Sequence, residues 1–404
     1  MPLNADRGYS NMDDGGGYNG TRYLEKQEAT RGSRRKWIIT GSIIALVVII
    51  GVGVGVGVAV SKNHSSKSTS GAAASSNSNS PVQQTNPNDP STFVLDPNLK
   101  HSFYGLAYTP EGSQLPECGN NISAVIQDIQ LMSQLTSRIR LYGADCNQSS
   151  LVLDAIAQTK VDMQVYLAIY NIPTDSTPYT RQKGEIQTAI ETFGTNNIAG
   201  VTVGNEFILD YLTAAGQNDP NSAVGNQGAA LLIPNITDTR QMIASMNLNK
   251  TIPVGTSDAG SYFNTEVMEA IDYGMANVHP WFANVSIDQA AGWTADFFQD
   301  TNIAGAAAVP NNPQMYIAET GWPTQSSDAG NANNGASAAS VPNLQIFLDT
   351  FVCQANQNGT GYFFFEYFDE PWKDVQFGGV EGWWGLFNSD RTLKNLTIPD
   401  CHID

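Results

Sequence analysis

The sequence predicts an α/β fold, a (β/α)8 barrel of the TIM type, preceded by a disordered tail, one transmembrane helix and a flexible stalk. Two observations indicate the barrel: eight short apolar runs recur between residues 103 and 368, and most intervening segments have helical spacing of apolar residues. A third concerns the N-terminal region, where residues 38–60 carry no charge. The predicted boundaries are 1–36, 37–60, 61–98 and 99–404.

The first two segments are a tail and a membrane helix. Residues 1–36 are rich in Gly, Asn, Asp and Tyr and have no periodic apolar pattern, which predicts disorder. Residues 37–60 are apolar and long enough to cross a bilayer, which takes about 20 helical residues. We interpret them as a signal-anchor helix. The alternative is a cleaved signal peptide, but the stretch is long, starts far from the N-terminus and lacks a convincing cleavage site.

Basic residues predict the orientation of this helix. Four lie before it and two after it: Arg31, Arg34, Arg35 and Lys36, then Lys62 and Lys67. The positive-inside rule places the tail in the cytoplasm and exports the rest, as in a single-pass type II plasma-membrane protein. Residues 61–98, rich in Ser, Asn, Ala and Pro, predict a flexible stalk, and core packing is expected to start near Phe103.

Potential glycan sites agree with export. Eight Asn-x-Ser/Thr triplets, each an N-glycosylation acceptor motif, follow the membrane segment, at Asn63, Asn121, Asn147, Asn235, Asn249, Asn284, Asn358 and Asn395. This density favours an exported glycoprotein, with chance occurrence of some triplets in an Asn-rich chain as the alternative.

The four cysteines also lie on the exported side, which suits disulfides in an oxidising compartment. They can pair in three ways. We favour Cys118 with Cys146 and Cys353 with Cys401, because each pair ties one end of the domain to neighbouring structure. A zinc site is the alternative, but no Cys-x-x-Cys spacing supports it.

Charge limits the class of partner. After residue 36 the chain has 13 basic and 33 acidic residues, a net charge of -20. Such a surface repels nucleic acid and other anionic polymers. We therefore expect a neutral ligand and no nucleic-acid partner.

The predicted strands alternate with helical segments. They are FYGLAY (103–108), SRIRLYGA (137–144), DMQVYLAIY (162–170), IAGVTVGNE (198–206), TIPVGTSD (251–258), NVHPWF (277–282), QMYIAETGW (314–322) and GYFFFEYF (361–368). Near-continuous apolar strands between helices indicate a parallel sheet covered on its outer face, and eight such units suit a (β/α)8 barrel. A doubly wound open sheet is the alternative, although no Gly-rich phosphate motif follows the first run.

Two glutamates stand at predicted strand ends, where barrel enzymes hold their chemistry. Glu206 ends the fourth strand and Glu319 lies near the end of the seventh. Standard barrel dimensions bring their carboxyl groups to about 6 to 7 Å from one another. Retaining glycosidases use about 5 to 5.5 Å and inverting ones about 6.5 to 9.5 Å, so a glycosidase pair fits without a choice of stereochemistry.

Four sequence blocks resemble those of glycoside hydrolase family 17, in particular the fungal β-1,3-glucanases and glucanosyltransferases. They are VGNE (203–206), NVHPWF (277–282), IAETGWP (317–323) and FEYFDEPWK (365–373), and the similarity spans residues 103 to about 398. The resemblance implies a retaining barrel in which Glu206 is the acid/base and Glu319 the nucleophile. A carboxyl in apolar surroundings beside a second carboxylate suits the first role. Asn205 is expected to donate to the substrate 2-hydroxyl.

Further positions are predicted to bind substrate: Tyr108, Tyr142, His279, Trp281, Trp322, Glu370 and Lys373. The aromatic residues would stack on sugar faces, and packing in the core is the alternative. For the two tryptophans we favour sugar binding over core packing. Glu370 and Lys373 resemble a Glu-x-x-Lys pair of the family, with a solvated ion pair as the alternative. Glu366 points either into the mouth or into the interior. No cofactor or metal is implied.

Three functions remain open. The leading hypothesis is a retaining endo-1,3-β-glucan hydrolase, anchored at the plasma membrane and facing the cell wall. A glucanosyltransferase is the close alternative, because a sugar hydroxyl can resolve the same glycosyl-enzyme in place of water. A non-catalytic wall-binding glycoprotein is the third, and the presence of both glutamates argues against it.

Overall fold

A computed structural model describes residues 82–401 of the chain. Its strands are β1 (Gly105–Ala107), β2 (Arg138–Arg140), β3 (Gln164–Ile169), β4 (Ile198–Asn205), β5 (Val254–Ala259), β6 (Tyr273–Asn277), β7 (Gln314–Thr320), β8 (Asn333–Asn334), β9 (Ser337–Ala338) and β10 (Tyr362–Phe364). Eight of them form a closed parallel barrel in the order β1-β10-β7-β6-β5-β4-β3-β2. β8 and β9 form a separate antiparallel pair.

Helices separate most of the barrel strands. They are α1 (Ile122–Met132), α2 (Gln148–Thr159), α3 (Thr177–Phe193), α4 (Phe207–Ala214), α5 (Ala223–Ser245), α6 (Thr265–Ala270), α7 (Ile287–Phe297), α8 (Ala304–Ala307), α9 (Val341–Gln357) and α10 (Pro371–Phe377). Strands that carry buried residues on both faces require this cover. The predicted (β/α)8 barrel is therefore confirmed.

Aromatic side chains fill the lower interior of the barrel. Tyr166, Tyr273 and Phe363 pack edge-to-face with centroid distances of 5.3 and 5.4 Å. Met275 and Ala318 complete this interior cluster. The cluster closes the barrel below the carboxyl ends of the strands, so the space for chemistry lies above it.

The predicted position of the sixth strand was wrong. The strand spans Tyr273–Asn277, whereas the predicted run began at residue 277. The N–H of Val278 still donates to the backbone carbonyl oxygen of Glu319, but Pro280 has no N–H to donate, and the chain turns at His279. The block NVHPWF is therefore mainly the loop that follows β6.

The boundary between stalk and domain also needs correction. Val82 is buried in the core, although core packing was expected to start near Phe103. Pro90 accepts a hydrogen bond from Gln130 of α1 at 2.7 Å, and the N–H of Asp96 donates to Gln134 at 2.7 Å. Residues 82–98, the last part of the predicted stalk, therefore pack on the domain.

The predicted tail and membrane helix at residues 1–60 lie outside the described residues. Within residues 82–401, no helix combines the length and the hydropathy that a membrane span requires. Anchoring by residues 37–60 stays a prediction of the sequence.

Both favoured disulfides are present, Cys118–Cys146 and Cys353–Cys401. All four cysteines form disulfides, so none is available as a zinc ligand. Six acceptor asparagines are exposed and Asn235 is half-buried, while Asn63 lies outside the described residues; the exposed ones are Asn121, Asn147, Asn249, Asn284, Asn358 and Asn395.

Candidate active site

The two glutamates singled out by the sequence occupy the same end of the barrel. Glu206 directly follows β4, and Glu319 is the next-to-last residue of β7. β5 and β6 lie between these strands in the closed barrel. Both residues therefore belong to the carboxyl-terminal face, where barrel enzymes hold their catalytic groups.

A β-bulge near the end of β4 turns Asn205 towards the barrel axis. Thr202 lies opposite Gly255 and Asn205 opposite Ser257, so β4 holds one extra residue between these pairs. Gly204, inside the bulge, has a φ of +89°, which glycine adopts without a Cβ clash. The bulge interrupts the alternation of side chains along the strand.

Glu206 is oriented by the start of α4 and by β6. Asp258, at the end of β5, accepts a hydrogen bond from the N–H of Ile208 at 2.8 Å and so caps α4. Asn277 Nδ2 donates to Glu206 Oε1 at 2.9 Å. Burial, followed by the charge of Glu319, raises the pKa of Glu206 to about 8. Glu206 therefore holds a proton at neutral pH.

A second bulge brings Glu319 inward. Ala276 lies opposite Ile317 and Asn277 opposite Glu319, so β7 gains one residue between these pairs. Ala318 already faces the interior cluster, and in a regular strand its neighbour would point to the opposite face. The bulge lets Glu319 face the axis as well.

Glu319 lies between two nitrogen donors. Arg140 Nη1 is 3.3 Å from Oε1, and His279 Nε2 is 3.0 Å from Oε2. Burial by itself raises the pKa of Glu319, but the hydrogen bond with His279 and the charge of Arg140 outweigh it and hold the pKa below its ordinary value. Glu319 is therefore a carboxylate under the conditions in which Glu206 is protonated.

Arg140 connects the components of the site and was missed by the sequence analysis. It is 1% exposed, and its Nη2 donates to Asn205 Oδ1 at 3.0 Å. This contact occupies the amide oxygen of Asn205. A signal was present, since Arg138 and Arg140 alternate with apolar residues in a buried strand, and a buried arginine requires partners.

The predicted pair of Glu370 and Lys373 is a buried trio with Glu366. Lys373 Nζ is 2.5 Å from Glu366 Oε2 and also contacts Glu370. The two glutamate side chains are 3% exposed, so the solvated ion pair that we considered is excluded. Glu366 is therefore directed at Lys373 of α10. The charge of Lys373 also lowers the pKa of Glu319.

Three of the predicted sugar-stacking residues are buried instead, a correction to the sequence analysis. Trp281 and Trp322 pack edge-to-face at 5.5 Å and are 1% and 0% exposed. Trp322 donates its Nε1–H to Ala338. Tyr108 is also buried and donates to Asp128 at 2.8 Å. Their ring faces are covered by protein, so none of them is a surface for a sugar.

Tyr142 and His279, in contrast, lie in the site. The Tyr142 ring covers the Arg140 guanidinium at 4.3 Å. Burial, followed by the charge of Glu319, raises the pKa of Tyr142 well above its usual range. His279 packs edge-to-face against Trp384 at 5.1 Å, which holds its ring beside Glu319.

The arrangement places a protonated carboxyl, Glu206, and an ionised carboxyl, Glu319, in the same barrel mouth. Two further carboxyls were missed because neither stands at a predicted strand end. Burial raises the pKa of Glu381 to about 7, and partial desolvation of the exposed Asp210 raises its pKa to about 6. In residues 82–401, no cluster of His, Cys, Asp and Glu is suited to hold a metal ion. The site is thus equipped for acid, base and nucleophilic chemistry by carboxyl groups.

Comparison with known proteins identifies the domain. The BtgE/BtgC glycoside hydrolase domain model matches residues 105–385. A probable glucan endo-1,3-beta-glucosidase btgC of Aspergillus terreus is 37% identical over 77% of this chain and 47% of the relative. The Aspergillus fumigatus protein of that name is 39% identical over 75% of this chain and 44% of the relative. The chain thus spans about half the length of the curated relatives it matches.

Solved structures show the same fold. An active-site mutant of Rhizomucor miehei beta-1,3-glucanosyltransferase with laminaritriose has a TM-score of 0.59 and 26% identity, over 74% of this chain and 99% of that one. An endo-laminarinase from Formosa has a TM-score of 0.57 and 18% identity, over 73% and 86%. The sequence match, the closed barrel and the glutamate pair agree. The chain therefore carries a BtgE/BtgC glycoside hydrolase domain and belongs to glycoside hydrolase family 17.

Proposed function

We propose that the domain is a retaining endo-1,3-β-glucan hydrolase that cleaves cell-wall β-glucan through a glycosyl-enzyme. The observation that carries this proposal is the placement of two glutamates in one barrel mouth, with Glu319 between Arg140 and His279 and Glu206 beside the neutral amide of Asn277. These surroundings lower the pKa of Glu319 and leave that of Glu206 raised. Double displacement requires that combination, an acid for the leaving group and a carboxylate for the anomeric carbon. The relatives named as endo-1,3-beta-glucosidases support the substrate.

In the first step a Glu319 oxygen bonds to the anomeric carbon while the glycosidic bond breaks. Glu206 gives its proton to the departing oxygen, which leaves as a sugar hydroxyl. In the second step Glu206, now ionised, takes a proton from water, whose oxygen attacks the anomeric carbon and releases Glu319. The product keeps the β configuration, and both carboxyls return to their starting states.

Neighbouring residues support these steps. Arg140 stabilises the Glu319 carboxylate before attack and after release. The same guanidinium holds the oxygen of Asn205, which directs the Asn205 amide hydrogens elsewhere. We propose that they reach the substrate 2-hydroxyl, a contact that strengthens in the oxocarbenium-like transition state.

Glucan transfer is the second candidate function. The structural relative of 26% identity is a β-1,3-glucanosyltransferase, and transfer needs no further catalytic group. A non-catalytic wall-binding role is disfavoured, because it requires neither the buried Arg140 nor the ionised Glu319. Anchoring at the plasma membrane, with the domain facing the wall, remains a prediction of the sequence.

Product analysis on a reduced β-1,3-glucan oligosaccharide separates these functions. The hydrolase proposal predicts that chromatography and mass spectrometry of early products show only chains shorter than the substrate. Products longer than the substrate would assign transfer as the principal reaction. Intact substrate after prolonged incubation, with a double Glu206→Gln, Glu319→Gln variant as the blank, would leave only the binding role.

The pH profile of kcat/KM should be bell-shaped, with both limbs set by the glutamate pair. Activity should fall as the pH drops through the pKa of Glu319, held below its ordinary 4.5, because the nucleophile becomes neutral. It should also fall as the pH rises through about 8, because Glu206 loses its proton. Glu191→Gln, at an exposed carboxyl of α3, is the matched control. A kcat/KM that rises steadily into alkaline pH would contradict the mechanism.

A further inference from the structure

Tyr170 is an exposed aromatic residue beside the proposed acid. It directly follows β3, and β3 pairs with β4, whose end carries Glu206. Side chains alternate along a strand, and Tyr166 faces the interior cluster, so the side chain of Tyr170 is directed to the same side, above that cluster. Tyr170 is 40% exposed. Its ring is therefore accessible from the mouth of the barrel, unlike Trp281 and Trp322.

The backbone that carries this ring is held in place. The N–H of Tyr170 donates to Gln182 Oε1 at 2.9 Å, and the N–H of Ala144 donates to the same oxygen at 2.8 Å. Gln182 Nε2 donates in turn to Asp145 at 2.8 Å. One glutamine side chain thus joins the ends of β2 and β3. A stacking surface on such a support costs little ordering when a ligand binds.

The charge environment agrees with this position. Partial burial of the phenol, followed by the charges of Asp210 and Glu206, raises the pKa of Tyr170. The phenol therefore lies within electrostatic reach of the proposed acid. The rings that contact His279 are those of Phe282, Phe365 and Trp384, on the side of Glu319.

The proposed reaction gives the two sides of the mouth different substrates. Glu206 protonates the oxygen that leaves, so the departing glucosyl unit lies against Glu206. The acceptor that attacks the glycosyl-enzyme enters from the same side, because attack reverses departure. A pyranose presents C–H bonds on its ring face, and these suit the negative face of an aromatic ring.

We infer that Tyr170 forms the acceptor-side subsite, where its ring stacks on the glucosyl unit that leaves from, or attacks, the anomeric carbon. This inference rests on the proposed function and extends it. Tyr170 would then determine how well a sugar hydroxyl competes with water for the glycosyl-enzyme. It would have no part in forming that intermediate from a donor without an acceptor-side sugar.

β-Laminaribiosyl fluoride provides such a donor, because fluoride leaves without occupying a sugar subsite. Fluoride release at low donor concentration reports formation of the glycosyl-enzyme. Added laminaribiose then competes with water, and the ratio of transfer product to hydrolysis product reports the acceptor subsite. We expect Tyr170→Ala to lower this ratio by roughly tenfold, the loss of one aromatic contact. Its kcat/KM for fluoride release should stay within about twofold of the wild type, since the donor does not reach the ring.

Matched variants separate stacking from other roles. Tyr170→Phe should keep the wild-type ratio, and Leu231→Ala, at an exposed apolar residue of α5, should leave both readouts unchanged. Tyr170→Leu provides a second variant, with a larger apolar side chain than alanine and no ring, if the alanine variant unfolds. An unchanged ratio in folded Tyr170→Ala or Tyr170→Leu would overturn the inference. Equal loss in Tyr170→Phe would overturn stacking, and lost fluoride release in Tyr170→Ala would place the ring on the donor side. No fluoride release by the wild type would instead refute the proposed function.

Discussion

Glu319→Ala should lose activity both on β-1,3-glucan and on an aryl β-glucoside, by on the order of 10⁵-fold, as expected for removal of a catalytic nucleophile. Without this carboxylate no covalent intermediate can form, whatever the quality of the leaving group. Initial-rate assays on both substrates measure the loss. In this variant Arg140 loses the carboxylate with which it forms a buried ion pair. Thermal unfolding must therefore show that the protein remains folded.

Azide gives this prediction a sharper readout. Glu319→Ala leaves space where the nucleophile stood, so azide can attack that face directly and yield an α-glycosyl azide. Glu319→Gln fills the space and is the matched control, with little rescue expected. A β-glycosyl azide from Glu319→Ala would assign the nucleophile elsewhere, and near-normal glucan cleavage would remove Glu319 from the mechanism.

Glu206→Ala should show a different pattern. Cleavage of glucan should fall by roughly 10²- to 10⁴-fold, the usual contribution of a general acid. An aryl glycoside with an acidic phenol needs little protonation, so its first step should stay close to the wild-type rate. Comparison of the burst and steady-state rates separates the two steps, because the second step also loses its base.

Azide should intercept the covalent intermediate in the Glu206 variant and yield a β-glycosyl azide, since it attacks opposite Glu319. The anomeric configuration of the two azides therefore assigns both roles. Exchanged configurations would exchange the assignments. Glu191→Ala, at an exposed glutamate of α3, should show neither loss nor rescue.

The sequence determined the parts of this domain that depend on local pattern. Alternation of apolar runs with helical spacing predicted the barrel, and seven of the eight predicted strands overlap the observed ones at their expected places. The ends of the fourth and seventh runs identified Glu206 and Glu319 on one face, because parallel barrel strands end together. The disulfide pairs followed from the positions of the cysteines at the ends of the domain.

Tertiary structure alone decided how the side chains meet. The bulges near Gly204 and Ala318 depend on pairing with neighbouring strands, which a single segment does not encode, yet they direct Asn205 and Glu319 inward. Arg140 shows the same limit, since its partners come from distant strands.

Burial reassigned the aromatic residues for a related physical reason. The sequence gives the type of an aromatic residue but does not show whether its ring contacts a sugar or another side chain. Trp281 and Trp322 pack against one another and are buried, whereas Tyr170, directly after the end of β3, is 40% exposed. Accessibility is a property of what packs around a residue, and for this protein only the folded barrel supplied it.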